Sequence, residues 1–187
     1  YQLDKEDEEV AMSAADGDDV YYCGDEDDGH AKKNKWMKTW LPDNTDEEED
    51  DKEWFWFDKN GKLYRASGSD ATVKAQKYKL EEGDLVYDGG SITGVEKKKV
   101  NSKDYWFTKD GVMLSKFYLI NDAMYYFGGS DDGSMKTGSQ SVKDDNGDSY
   151  KFFFENKTTG NTKGLGITGN KSGYLYFKGL LIKADDY

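Results

Sequence analysis

The sequence is poor in the residues that most often carry chemistry. It has one cysteine, one proline and one histidine among 187 residues. A lone Cys23 excludes an intrachain disulfide framework. It stands where the other repeats described below carry an aromatic residue, and reads as a buried structural thiol. His30 has no second histidine or cysteine at ligand spacing, so it reads as a solvated turn residue rather than a zinc ligand. Long apolar runs are missing too. The longest are about four residues, such as Trp54 to Phe57, against the roughly 20 needed to cross a bilayer as a helix. Basic residues are outnumbered, 26 Lys and Arg against 38 Asp and Glu, for a net charge of −12. Without a basic stripe to neutralise phosphates, nucleic acid and anionic membrane surfaces are not expected as partners. Val, Leu, Ile and Phe together make up only about 17% of the chain, a composition that borders on disorder.

Aromatic residues argue the other way. Five Trp, 14 Tyr and 9 Phe supply large apolar area from few positions. They are also spaced as strands. Short aromatic runs end at Cys23, Phe57, Phe107, Phe127, Phe154 and Phe177, and a degenerate copy, Leu85-Val86-Tyr87, falls in the widest gap. Four of them, those ending at Phe57, Phe107, Phe127 and Phe154, are followed by a polar turn and then by glycine with a large apolar residue close behind: Gly61-Lys62-Leu63, Gly111-Val112-Met113, Gly133-Ser134-Met135 and Gly164-Leu165-Gly166-Ile167. Self-similarity of this kind is the signature of a repeat architecture. The pattern predicts hairpins in which an aromatic strand turns through Asp58-Lys59-Asn60-Gly61, Thr108 to Asp110, or Gly128 to Gly133 and pairs with the segment that follows. Gly128-Gly129 and Gly89-Gly90 read as turn glycines, not as a phosphate-binding fingerprint.

These residues resemble the aromatic- and glycine-rich cell-wall-binding repeats of Gram-positive surface proteins, the choline-binding and glucan-binding family. The family pattern runs roughly W-Y-Y-F, a short turn, then G-x-M-x-T-G-W. Tyr125 to Gly138 match it best, and Trp54 to Leu63 and Tyr105 to Met113 match it well. The tryptophan expected after Thr-Gly is missing, since Ser139 follows Gly138 and Asn170 follows Gly169. In the family that tryptophan helps to form the choline cage, so a glycan is expected here before choline.

The resulting expectation is an all-β fold of tandem β-hairpin repeats stacked into an elongated solenoid-like array, since a lone hairpin is marginal and must stack. Residues 1–19 form an acidic lead-in, helical or disordered, and 20–187 the repeat domain, with 66–103 degenerate or inserted. The chain opens Tyr1-Gln2-Leu3-Asp4 without methionine, which suggests a mature or excised fragment.

Flat aromatic faces suit sugar C–H groups and quaternary ammonium alike. The candidate ligand-binding residues are Trp36, Trp40, Trp54, Trp56, Tyr105, Trp106 and Tyr125, each weighed against a place in the core. Asp144, Asn146, Asp148 and Glu155 have EF-hand spacing, but Ser149 replaces the required glycine and Lys151 an expected apolar residue. No metal, cofactor or catalytic residue is assigned. The acidic residues lie in turns and loops, where a glycosidase-type carboxylate pair is not expected. The resemblance implies a non-enzymatic, secreted module at the cell wall that binds wall polymer or glucan, fused to a catalytic or adhesive domain. The alternative is a structural spacer or protein-interaction module whose aromatics are all core.

Overall fold

The computed structural model describes residues 19–22, 30–41, 51–67, 72–157 and 160–183. The acidic lead-in up to residue 18, Cys23, the turn at 24–29 and most of the Asp46–Asp51 block lie outside them. Among the described residues the chain forms thirteen β-strands and no α-helix. It divides into two compact units. The first holds the residues up to Ser67 together with Phe107–Met113, and the second holds Gly68–Trp106 and everything from Leu114 onward.

In the first unit β1 (Lys35–Thr39) pairs antiparallel with β2 (Glu53–Phe57), with Trp36 opposite Trp56 and Lys38 opposite Trp54. Phe55 and Phe57 are fully buried and pack with Val20 and Leu63.

The second unit holds the other strands, except that Phe107, the last residue of the strand Lys103–Phe107, belongs to the first. A four-stranded sheet has the order β4 (Asp84–Thr93), β3 (Lys74–Glu81), β7 (Phe117–Ile120), β8 (Ala123–Tyr126). β5 (Glu96–Val100) and β6 (Lys103–Phe107) form a two-stranded ribbon. A five-stranded sheet has the order β11 (Gly169–Lys171), β12 (Tyr174–Phe177), β13 (Leu180–Leu181), β10 (Ser149–Phe154), β9 (Gly138–Lys143).

All four residues of β7 are buried. Phe117 and Leu119 join Met124, Phe152 and Phe154 in one core. Tyr118 and Ile120 point the other way and join Ala75, Val95, Leu114 and Phe127. The period of two along a strand sends alternate side chains to opposite layers, so the sheet is covered on both faces at β7.

The all-β hairpin architecture stands, but the strands pair differently from the sequence pattern. Each aromatic strand takes a ladder partner from the segment before it: β2 from β1, β6 from β5, β8 from β7, β10 from β9 and β12 from β11; β12 also pairs with β13, which follows it through Lys178-Gly179 as the sequence pattern has it. The expected return segments make single bridges only, Phe57 to Leu63, Phe107 to Met113 and Phe154 to Gly166. The segment after Phe127 gives one backbone bond, from Lys136 N–H to the Tyr126 carbonyl.

Two kinds of turn explain this. Five hairpins close through Glu82-Gly83, Asn101-Ser102, Asn121-Asp122, Ser172-Gly173 and Lys178-Gly179, each with positive φ at both residues. That backbone matches the right-handed twist of the flanking strands and permits a tight two-residue connection. The polar segments starting at Asp58, Thr108 and Asp144 are capped loops of one shared geometry; the one at Asp144 closes the β9–β10 hairpin, while those at Asp58 and Thr108 are followed by single bridges only. Asp58 Oδ1 accepts the N–H groups of Asn60 (2.7 Å) and Lys62 (3.0 Å). Thr108 Oγ1 accepts those of Asp110 (3.2 Å) and Val112 (3.1 Å). Asp144 Oδ1 accepts those of Asn146 (3.0 Å) and Asp148 (2.9 Å). The fourth residue is a glycine at positive φ, Gly61, Gly111 or Gly147, and its N–H bonds back to the first carbonyl. The side-chain oxygen replaces ladder bonds with local ones.

Leu85-Val86-Tyr87 also departs from its expected turn. Asp88-Gly89-Gly90 lies inside β4, where the register against β3 shifts between Gln76 and Tyr78. The strand bulges there, and Gly89 takes φ 70° with open space around it.

Gly111 and Gly147 share φ 88° but not surroundings. A Cβ at Gly111 would sit 2.8 Å from the Tyr64 carbonyl oxygen, whereas one at Gly147 meets nothing within 4 Å. Gly147→Ala is therefore expected to cost about 1 kcal/mol, the strain of φ alone, and Gly111→Ala clearly more. Urea unfolding of both variants checks this. Thr108→Asp keeps the two accepted bonds and is expected to stay close to the parent, while Thr108→Val loses them at about 1–2 kcal/mol.

Candidate functional site

The sequence-derived aromatics fall in two places. In the first unit, Trp36 stacks on Phe107 with ring centroids 5.7 Å apart and planes 15° apart, and meets Trp56 at 5.4 Å and 57°. Tyr64 packs edge-on against the same Phe107, at 5.0 Å. Trp40 and Trp56 are each 6% exposed, and the Lys52 ammonium stands 4.4 Å over the Trp40 ring. An internal cation thus occupies the aromatic face that a ligand cation would use. Trp36 and Trp54 are only partly buried.

In the second unit, Trp106 and Tyr125 meet at 6.1 Å and 46°, and Tyr125 stacks on Phe127 at 6.2 Å and 15°. Tyr105 and Tyr125 are each 8% exposed, and burial pushes both phenols up, with the Asp132 charge adding to the effect at Tyr105. Trp106 is half-buried, and its Nε1 is enclosed without an acceptor among the described residues. The structure therefore gathers the predicted residues into two aromatic groups and leaves Trp36, Trp54 and Trp106 as the members with open surface.

A third surface was not anticipated. The five-stranded sheet turns Phe152, Phe154, Val142 and Leu180 into the core. Its other face carries a cleft of about 420 Å³ lined by Ser139, Ser141, Lys151, Tyr174, Tyr176 and Leu181, with Gln140 at its side. The register explains the grouping. Tyr176 lies opposite Leu181, and Lys151 opposite Ser141. Phe152 lies opposite Leu180, so Lys151 follows opposite Leu181, and one row crosses four strands. Phe153 sits beside Tyr176 on this face at 6.3 Å, with the Lys171 ammonium 4.1 Å over its ring. Tyr174 is 60% exposed. Gln140 Nε2 donates to the Thr137 carbonyl at 2.8 Å, which fixes that side chain. The surface offers aromatic faces, hydroxyls and an ammonium, a set suited to reversible polar binding.

The Asp144 loop that carries EF-hand spacing is the third of the capped loops. Thr108 does the same work without a charge, so the loop holds its shape by hydrogen bonds alone. Among the described residues no group of three or more His, Cys, Asp or Glu is placed to hold a metal. No helix there is long and apolar enough to cross a membrane.

No protein-family model matches the chain, and no curated protein matches it. Among solved structures the chain is similar to choline-binding protein F from Streptococcus pneumoniae, crystallised in the presence of a peptidoglycan analogue. The identity is 17%, the match covers 93% of this chain and 58% of that one, and the TM-score is 0.38. It is similar to CbpJ from the same organism, at 18% identity over 92% of this chain and 48% of that one, with TM-score 0.37. It is also similar to the multimodular pneumococcal cell-wall endolysin from phage Cp-1 complexed with choline, at 16% identity over 99% of this chain and 41% of that one, with TM-score 0.36. The chain thus spans about four- to six-tenths of the length of these structures. They are choline-binding proteins, the family whose repeats the sequence resembles, and the likeness is one of fold.

Electrostatics fixes one further element of the second unit. Asp104 is 8% exposed, with Lys99 Nζ 3.0 Å from one carboxylate oxygen and Lys163 Nζ 3.0 Å from the other. Burial pushes the carboxyl up, but hydrogen bonds from Lys163 and Lys99 outweigh it and hold the group below the usual value. A depressed carboxylate stabilises the fold above its unfolded pKa, near ~3.9, and that stabilisation is lost as pH falls through the folded value. Asp104→Asn is expected to cost about 1–2 kcal/mol at neutral pH, kept small because both lysines reach solvent. In urea unfolding, the gap between variant and parent should close below about pH 4.

Proposed function

We propose that the chain is a non-catalytic module that binds cell-wall polymer or another glycan at the surface of a Gram-positive bacterium. In this reading it is a secreted piece that holds a larger protein, catalytic or adhesive, to the wall. The observation that supports it best is the outer face of the five-stranded sheet. Tyr174 and Tyr176 stand on the same side of β12, with the Ser139 and Ser141 hydroxyls and the Lys151 ammonium across the cleft. Aromatic faces meet the C–H faces of sugar rings while hydroxyl and ammonium groups bond the ring substituents, and such contacts need no deep pocket. Trp36, Trp54 and Trp106 add further partly open rings. Trp40, Trp56, Tyr105 and Tyr125 are nearly enclosed by the protein itself, and of these Trp56 packs against Trp36 and Tyr125 against Trp106.

A second reading has its own support. Trp36 and Trp40 already stack on internal partners, Phe107 and Lys52. A spacer or protein-interaction module would use its aromatics in this way.

The test is retention of the purified chain on insoluble cell walls and on α-glucan. Free choline serves as one eluant, because a similar solved structure is complexed with choline, and EDTA as a metal control. Retention is expected, unaffected by EDTA, and roughly tenfold weaker in Tyr174→Ala than in the parent. Lys59→Ala, on an exposed capped loop, should behave as the parent. Failure to be retained on any polymer would remove the glycan reading and leave the spacer.

A further inference from the structure

The five-stranded sheet differs from the rest of the chain in charge. Residues 138–183 hold seven lysines against four carboxylates, a net +3, in a chain whose net charge is −12. Most lysines with described partners spend their charge on a carboxylate: Lys62, Lys77, Lys79, Lys99, Lys136 and Lys163 all do. Lys151 does not. It is exposed on the cleft face, between Ser141 on one side and Leu181 on the other, and makes no ion pair among the described residues. Its strand neighbours cannot neutralise it either, because Phe153 shares its face while Tyr150 and Phe152 point toward the core. Lys171, over the Phe153 ring, adds a second positive charge on the same face.

Two tyrosine rings beside an unpaired ammonium and serine hydroxyls ask for a ligand with a C–H face, hydroxyls and a negative group. We propose that this cleft binds an anionic saccharide, one whose sugar carries a carboxylate or a phosphate. Tyr174 and Tyr176 form the platform, Ser139 and Ser141 bond hydroxyls, and Lys151 meets the charge. The assignment rests on the glycan-binding reading and adds the chemical class of the ligand. The cleft, about 420 Å³, lies within the size range of small-ligand pockets and suits a short stretch of polymer. The acidic remainder of the chain repels an anionic polymer, which favours contact at this sheet over contact elsewhere.

The experiment measures binding of the full chain to three soluble polymers: polygalacturonate, which supplies carboxylates; phosphomannan, which supplies phosphates; and neutral mannan. At least one acidic polymer is expected to bind roughly tenfold or more tightly than mannan, and to weaken as salt is raised. The arm that binds identifies the anionic group. Lys151→Gln should abolish the preference, Lys151→Arg should keep it, and Lys59→Gln should change nothing. Equal binding of neutral and acidic polymers, or a preference intact in Lys151→Gln, overturns the charge assignment and leaves glycan binding standing. No binding to the three polymers while the chain is still retained on cell walls also overturns it. No binding in either assay removes the reading it rests on.

Discussion

In the second unit the structure depends on β7, a strand that buries both of its faces. Phe117 and Leu119 press into one layer, and Tyr118 and Ile120 into the other. A chain this short of aliphatic residues has few such segments, so it places them where a single strand serves two cores. The aromatic strands then supply the rest. Phe127, just past β8, and Phe154, at the end of β10, have no exposed surface, as Phe57 and Phe107 have none in the first unit. A two-stranded ribbon cannot cover such a ring by itself. Each ring is enclosed only when neighbouring hairpins stack, so burial and repetition are the same requirement seen at two scales.

Turn chemistry divides the labour between ladder and link. Two-residue turns with positive φ at both positions close five of the hairpins, and Asn, Asp, Ser or Gly fill most of these positions at little strain. The capped loops at Asp58, Thr108 and Asp144 satisfy their own amides through one side-chain oxygen. That local satisfaction lets two of them, those at Asp58 and Thr108, leave the sheet and carry the chain onward with a single bridge. Many of the polar residues that make the chain look nearly disordered by composition are thus committed to holding loops between hairpins.

The same economy shapes the surface. Trp40 and Trp56 are enclosed by the protein, so their planar faces serve its own packing. On the outer side of the five-stranded sheet no further layer stands among the described residues, and Tyr174 keeps 60% of its surface. Aromatic strands of one repeating design can therefore be core in one place and platform in another. The difference lies in whether a neighbour covers them.

The sequence alone determined that the chain is all-β and that it repeats along aromatic runs. Of the phenylalanines that end those runs four are fully buried and Phe177 is 55% exposed, a difference that the tertiary structure decided. The sequence did not determine which way each aromatic strand pairs. Asp58-Lys59-Asn60-Gly61 has the composition of a hairpin turn, whereas Asn101-Ser102 and Asn121-Asp122 are too short to stand out. Only the positive φ values and the register separate the two. Nor did it single out Tyr174, Tyr176 and Lys151 together, although the local surplus of lysine was there to be counted. Those residues come from strands that are neighbours in space but not all in order along the chain. Tertiary structure decided the cleft, because a surface made of four strands exists only once their order in the sheet is fixed.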